Sequence, residues 1–465
     1  MPRFRRKTLT QTVAVATAAT SALIGLTAVL PATAVAAGKT TTLVMWEADG
    51  PLFKVAIAPV VAKFEKAHPN VKVQVDTEVW STFQQRVLSA AAGAALPCIM
   101  YTNSQVEGAI AQANVMTPIP TNIIPQSRLA EYLPGFIDGL KNANGVLDFV
   151  PNLGGADQFY IRTDTPNGDT IPHTYSQWIK WGERATKRNS AGQITTAGIG
   201  WFFQVNAIPG ILTDQFASMV MAAGGQFLNN GDGVGATKAM FDSPAGLKVL
   251  QFIHDTIWKY HIAQAPDQQT FDDANPVSGI VTGREASKFL GPWFPNALAD
   301  LAKGGKYTPA EEHVRDTWDA VNFAPMPDQG GKNVAIISTD GWGVPKSCPD
   351  QTLAWQFIKT MTSTQSYLTF FSVFQHPIAS KVAFTSPRAA QLIEQNMPGA
   401  KHETLIWRNA AYISASVAEP HNASNADIYK VVENGIVAAM NKPNANLSGA
   451  LKSMATQVDG VLARG

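Results

Sequence analysis

"TTTLVMWEADGPLFKVAIAPVVAKFEKAHPNVKVQVDTEV", Thr40 to Val79, is the stretch whose reading decides the fold. Its first seven residues are β-branched or apolar, the composition of a buried strand. Apolar side chains then fall at Phe53, Ile57, Val60, Val61 and Phe64, a helical spacing closed by Pro69. "VKVQVDTEV" alternates with period two, as a half-buried strand does. Strand, helix and strand in this order predict a βαβ unit and a largely parallel α/β sheet.

The same alternation continues downstream. "STFQQRVLSAAAGA" predicts a helix with Ser81 as N-cap, "CIMYT" a short buried strand, and "SQVEGAIAQAN" a further helix. After the Pro-rich "TPIPTNIIP", the stretch "VLDFVPNLGGADQFYIRTD" reads as strand interrupted by Pro151 and Gly154-Gly155, which suits a crossing between two lobes. "IPHTYSQWIKWGERATKR" and "SPAGLKVLQFIHDTIWKY" predict amphipathic helices, "AIISTDGWGVP" a strand followed by a turn, and "DQTLAWQFIKTMTSTQSYLTFF" one long helix. No internal repeat of 20–50 residues is visible.

With 465 residues, 45% of them hydrophobic, the chain can build two or three domains around large cores. Charged residues make up only 15% and the formal net charge is +1, with no basic run that would neutralise phosphates, so the composition excludes a nucleic-acid surface. The first segment combines Arg3, Arg5, Arg6 and Lys7 with an apolar stretch from Thr12 to Leu30 and small residues around Ala34-Val35-Ala36. That is the layout of an export signal cleaved near Ala37; an uncleaved anchor is the other reading. Arg5-Arg6 partly resembles a twin-arginine signal, and no cysteine stands at the cleavage region to carry a lipid. Without residues 1–37, 32 Lys and Arg stand against 35 Asp and Glu, a balance of −3. Cys98 and Cys348 lie 250 positions apart, and the sequence leaves their pairing open. Neither has a neighbour at metal-ligand spacing, so no metal and no cofactor is expected.

In "KFLGPWFPNAL", Lys288 to Leu298, a Trp-Phe pair sits between two prolines directly after a glycine. Proline fixes its own backbone and pushes the preceding residue towards an extended conformation, so Trp293 and Phe294 are expected on a rigid loop or at a helix start. A rigid aromatic there is either core filler or a flat wall for a ligand.

Taken in order, these landmarks resemble the extracellular solute-binding proteins of ATP-binding-cassette importers, in the sugar-binding branch that includes maltose-binding protein. The resemblance runs from about Thr41 to the C-terminus. "VVAKFEKAHPNVKVQV" carries the Phe-Glu-x-x-x-Pro-x-x-x-Val pattern, and "RVLSAAAGAALPCIMY" the Ala/Gly-rich helix before the next strand, with Cys98 where Asp is usual. "IPHTYSQW" has Tyr175 in a Trp position, and "IVTGREASKFLGPWF" matches Gly-x-x-Ala-x-x-x-x-Gly-x-Trp. The resemblance implies an α/β, two-lobe periplasmic-binding-protein fold of type II, each lobe a mixed sheet flanked by helices, with a hinge and an interlobe cleft. It implies a signal at 1–37, lobe 1 from 38–150 and 330–380, and lobe 2 from 151–329 and 381–465. Crossings fall near 150–155, 325–333 and 378–387. A carbohydrate ligand, a membrane permease partner and a monomeric state follow from the same resemblance; the export signal without a lipid-bearing cysteine points to a free periplasmic or secreted protein.

The candidate binding residues divide into walls and polar partners. Trp293 matches the cleft-lining tryptophan of the family, where a rigid aromatic plane packs on the C–H face of a pyranose. Trp342 in "TDGWGV", Trp201, Phe202 and Phe203 in "GWFFQ", and Trp407 near Asn409 supply further aromatic surface, with lobe core as the other reading. Polar partners are expected on loops beyond the carboxyl ends of strands: Glu47 and Asp49 after the first, and Asn103, Ser104 and Gln105 after the third; Asp157 and Gln158 at the lobe crossing, and Asp340, are further candidates. Thr102 stands where the maltose-type pattern has an aromatic, which puts maltose specificity in doubt. An exported carbohydrate-active hydrolase is the competing class, since glycosidases need two carboxylates about 5–9.5 Å apart. Beyond the presence of Glu47, Asp49 and Asp340, no motif supports it.

Overall fold

The computed structural model describes residues 40–465 apart from 143, 167–169, 206–207, 231–233, 270–275, 302–305, 322, 382–384, 397–415, 421 and 465. Residues 40–465 form one compact unit. Among the described residues, eleven strands run in chain order: β1 (Thr41–Glu47), β2 (Val71–Thr77), β3 (Ile99–Asn103), β4 (Val150–Ala156), β5 (Gln158–Arg162), β6 (Lys187–Arg188), β7 (Ile194–Thr196), β8 (Ser287–Leu290), β9 (Trp318–Val321), β10 (Ala335–Gly343) and β11 (Ser416–Ala418).

The opening stretch folds as its pattern predicts. β1 pairs in parallel with β2, from Thr41 opposite Val71 to Glu47 opposite Thr77, and in parallel with β3. The intervening helix Pro51–Ala67 buries Phe53, Ala56, Ile57, Val60 and Phe64. Its start combines Gly50 at φ 92 with Pro51 in the first turn, where a missing N–H costs nothing. The second helix begins two residues earlier than its sequence suggests, at Trp80, with Val79 rather than Ser81 in the cap position.

Two sheets organise the molecule. The first has six strands in the order β11-β10-β3-β1-β2, with β4 on the other side of β10; the second is β8-β5-β9, and β6-β7 is a small separate ribbon. β4 and β5 are separated by Asp157 alone, so the chain passes from the first sheet to the second at that residue. It returns between β9 and β10. Ser416–Ala418, within the segment that the sequence assigns to lobe 2, instead forms β11 alongside β10 of the first sheet. Helices Asn425–Met440 and Leu447–Leu462 then pack on each other and on helix Pro244–Trp258. There Trp258 Nε1 donates to the Met440 carbonyl at 3.0 Å. Among the described residues, no helix is long and apolar enough to cross a membrane.

Two local expectations are corrected. The single helix expected over "DQTLAWQFIKTMTSTQSYLTFF" is two, Gln351–Met361 and Thr364–Phe371, because the Ser363 side chain accepts from the Ser366 N–H and starts a new helix. The turn expected in "AIISTDGWGVP" is a continuous strand with an irregularity between Thr339 and Gly341. Its glycines serve close packing. A Cβ at Gly341 would come within 2.6 Å of Leu140 Cδ1, and one at Gly343 within 2.7 Å of both Met116 and Phe149.

Cys98, just before β3, and Cys348, just after β10, form a disulfide with their Cα atoms 4.7 Å apart. The antiparallel register that sets Met100 opposite Gly343 brings these two strand ends together.

Candidate functional site

The ends of β1 and β3, the middle of β10 and the β4–β5 junction converge on a cavity of about 550 Å³. Its other wall is the segment Trp293–Asp300, which follows β8 of the second sheet, so the cavity lies between the two sheets. Six residues singled out from the sequence line it: Asp49, Asn103, Gln105, Asp157, Trp293 and Asp340.

Local geometry explains each placement. Asp49 is held by its backbone N–H, which donates to Glu47 Oε2 at 2.7 Å. Glu47 is itself fully buried and also accepts from the Thr77 hydroxyl. It therefore anchors the loop from beneath the cavity floor. Asn103 caps helix Ser104–Gln112, its side chain accepting from the Gln105 N–H at 2.7 Å. Gln105 in turn donates to Asp214 Oδ2 at 3.0 Å, tying this helix to Ile211–Ala222. Ser104 turns away from the cavity; its hydroxyl donates to Glu419 and accepts from the Thr339 N–H.

Trp293 is half-buried and immediately precedes helix Phe294–Asp300. Its indole folds back over Gly291, where an added Cβ would stand 2.1 Å from Trp293 Nε1. The glycine of "GPWF" thus gives the ring its orientation, while Pro292 packs towards the crossing: a Cβ at Gly155 would lie 2.8 Å from Pro292 Cβ and 3.2 Å from Pro377 Cγ.

The other aromatic candidates lie in the interior. Trp342 is fully buried, with ring centroids 5.5 Å from both Phe53 and Tyr101. Trp201 packs on Phe159 and Phe252 and donates to Thr256 Oγ1 at 2.8 Å, so it belongs to the second lobe's core. Phe202 and Phe203 are also buried and do not line the cavity, and Phe202 lies beneath Lys288. Gln158 is buried on β5, and Thr102 is buried on β3. Trp407, with Asn409, lies outside the described residues.

Sequence reasoning passed over Trp80, Tyr101, Asn296, Phe374 and His376, all of which line the cavity. For Tyr101 a signal existed: it belongs to the strand just before Asn103, two residues from the predicted polar loop. Asn296 lies three residues beyond Trp293, one turn along the same short helix. A second cavity, of about 350 Å³, shares Trp80, Ser81 and Gln105 with the first and extends towards Tyr429, Lys430 and Glu433 of the C-terminal part.

The electrostatics are one-sided. Asp340 is pushed up to about 7, chiefly by burial, although Tyr101 and Asn103 hydrogen-bond it. Burial first, then the neighbouring Asp340 and Glu47 carboxyls, raise Asp49 well above the usual range. Asp157 is raised by burial and by Glu419 and Asp340. His376 Nε2 stands 3.7 Å from Asp340 Oδ2, but burial lowers the imidazole to about 4. The contact is therefore one with a neutral ring, not an ion pair. Among the described residues, no group of three or more His, Cys, Asp or Glu is placed to hold a metal ion.

A half-enclosed cavity with aromatic walls and a floor of carboxylates and amides can hold a polar ligand by stacking and by hydrogen bonds. The architecture is shared with several solved structures. The Thermus thermophilus maltotriose-binding protein bound with maltotriose superposes with a TM-score of 0.69 at 18% identity, covering 91% of this chain and all of that one. An ABC transporter solute-binding protein from Thermotoga lettingae bound with α-D-tagatose gives 0.71 at 18% identity over 91% of this chain and all of that one. The GacH receptor of Streptomyces glaucescens, solved unliganded and with acarbose, gives 0.71 at 14% identity over 91% of this chain and 99% of that one. These likenesses show the two-lobe periplasmic-binding-protein fold. The sequence profile described as bacterial extracellular solute-binding protein matches residues 50–367, and the chain belongs to that family.

Proposed function

We propose that the protein captures a carbohydrate in the cavity between its two sheets and delivers it to the membrane permease of an ABC importer. One observation carries this reading: Trp293 on one side of the cavity faces a floor of Asp49, Asn103, Asp157 and Asp340 on the other. A pyranose needs both, because its C–H face packs on an aromatic plane while its hydroxyls reach sideways to acceptors. Solved structures of the same fold hold tagatose, maltotriose and acarbose, which supports the ligand class.

Residues 38–150 and 330–380 make up most of one lobe and 151–329 most of the other, and closure of the lobes on the ligand presents the surface that the permease reads. The protein acts by binding rather than catalysis, as a monomer, without a cofactor or nucleic acid. Residues 1–37 direct export, and the mature chain works in a periplasm. Trp407 is retained as a candidate contact.

Thermal shift of the mature protein against mono- and oligosaccharides tests this. A sugar at about 100 times its Kd should stabilise by about 2.7 kcal/mol. Catalytic release of reducing sugar from an oligosaccharide would instead establish a hydrolase.

A further inference from the structure

The titratable lining of the cavity is almost wholly acidic. Asp49, Asp157, Asp300 and Asp340 line it, and among the described residues lining it there is neither Lys nor Arg. His376, the one histidine among the described lining residues, is held neutral by burial.

The unmet hydrogen bonds point the same way. Asp157, only 4% exposed, has Oδ2 buried with no hydrogen-bond partner, as has Asn296, 5% exposed, at Oδ1. Asp49 Oδ2 is in the same condition. All three atoms are acceptors, two of them on carboxylates, and they come from both sides of the cavity. Unpaired buried acceptors of this kind are rare and costly. What they lack is a donor, and a protonated amine is the group that brings donors alone: an ammonium has three N–H donors and no acceptor, whereas each hydroxyl brings a lone pair with its proton. Aromatic rings at Trp80, Tyr101, Trp293 and Phe374 complete the environment, since a cation is also attracted to ring faces.

We infer that the ligand is an amino sugar, or an oligosaccharide containing one, with its ammonium group placed against Asp157 and Asp340. This rests on the carbohydrate reading above and narrows it. The raised values of Asp49, Asp157 and Asp340 agree with it, because crowded carboxyls that hold protons in the ligand-free protein give them up when a cation arrives. Glucosamine-type and neutral sugars then differ in one substituent, at the position where the protein has placed its charge.

The test is calorimetric titration of the mature protein at pH 6.0, where a glucosamine-type amine is protonated, with four probes: the β-1,4-linked glucosamine trimer, its N-acetylated counterpart, maltotriose and spermidine. The expected result is tightest binding of the glucosamine trimer, by at least about tenfold over both uncharged trisaccharides. Its affinity should also weaken with added salt. Asp157→Asn and Asp340→Asn should each reduce that preference, with ligand-free melting followed alongside. If either variant fails to fold, the salt dependence of the unaltered protein makes the same distinction. Equal or tighter binding of maltotriose or the N-acetylated trimer overturns the amino-sugar inference and leaves the carbohydrate reading standing. Binding of spermidine with no trisaccharide bound overturns both, and an absence of binding by all four overturns the amino-sugar inference.

Discussion

The Tyr101 hydroxyl on β3 lies beside the Asp340 carboxyl of β10 and the Asp49 carboxyl at the end of β1. One phenolic proton cannot serve two ionised carboxylates, so the group is most stable with a further proton on one of them.

This arrangement fixes a pH dependence. Asp340 rises from an ordinary 3.8 to about 7, Glu107 and Glu433 from 4.5 to about 8, and Asp49, Asp157 and Asp214 move in the same direction. Burial is the main cause in each case. For an acid whose folded value lies above its unfolded one, the folded state binds more protons, so stability is full below the unfolded value and is lost as pH rises through the folded one. The ligand-free protein should therefore melt at a higher temperature near pH 5 than near pH 8, and Asp340→Asn should flatten the profile. Melting temperatures that rise from pH 5 to 8 would contradict the assignment.

Trp293 and Trp342 should respond oppositely to truncation. Trp293→Ala removes a half-buried cavity wall, so sugar affinity should fall at least about tenfold, or roughly 1.4 kcal/mol, with little change in ligand-free melting. Trp342→Ala opens a cavity between Phe53 and Tyr101 and should cost about 3–5 kcal/mol of folding stability. Urea melts and titrations of both variants decide the matter. A large melting loss for Trp293→Ala with normal affinity in the folded fraction would sink its role as a ligand wall.

Cys98→Ala combined with Cys348→Ala should lower stability by about 2–5 kcal/mol, because the bond closes a long loop in the unfolded chain. Ligand affinity should be unchanged, since neither residue lines the cavity. Guanidinium unfolding of the double variant beside the parent protein measures the first effect, and titration the second.

The ion pair of Glu285 and Lys288 is buried to within 1%. Lys288 also donates to Gln204 Oε1 at 2.8 Å, and an added Cβ at Gly279 would lie 2.0 Å from Glu285 Oε2. Lys288→Met should cost about 3–5 kcal/mol by leaving a buried carboxylate without its cation. Lys288→Met with Glu285→Gln should cost less than the single change. A double variant that is the less stable of the two would show that packing, not charge, dominates the site.

Delivery to the periplasm should fail when Arg5 and Arg6 are both changed to Lys if export reads the arginine pair itself, because charge is conserved in that variant. Unchanged delivery, followed by fractionation, assigns export to the general secretory route.

What the sequence determined by itself was local. The βαβ order, the helix over Pro51–Ala67 and the polar residues just beyond strand ends follow from periodicity, proline placement and the direction of parallel strands, all carried by neighbours along the chain. For that reason Asp49, Asn103 and Gln105 were legible as cavity residues, whereas Asp157 sits at the crossing and Asp340 within antiparallel β10. Only the tertiary structure decided which aromatics face the cavity. Trp342 stands two residues from Asp340 on one strand yet packs against Phe53, while Trp80, which no motif marks, lies at the cavity where its helix begins. Composition does not distinguish an indole in a core from one on a cavity wall, because both are buried apolar surface; the difference lies in whether a neighbouring element covers the ring. The pairing of Cys98 with Cys348 likewise depended on the antiparallel register of β3 and β10, a contact between strands more than 230 residues apart that no local pattern encodes.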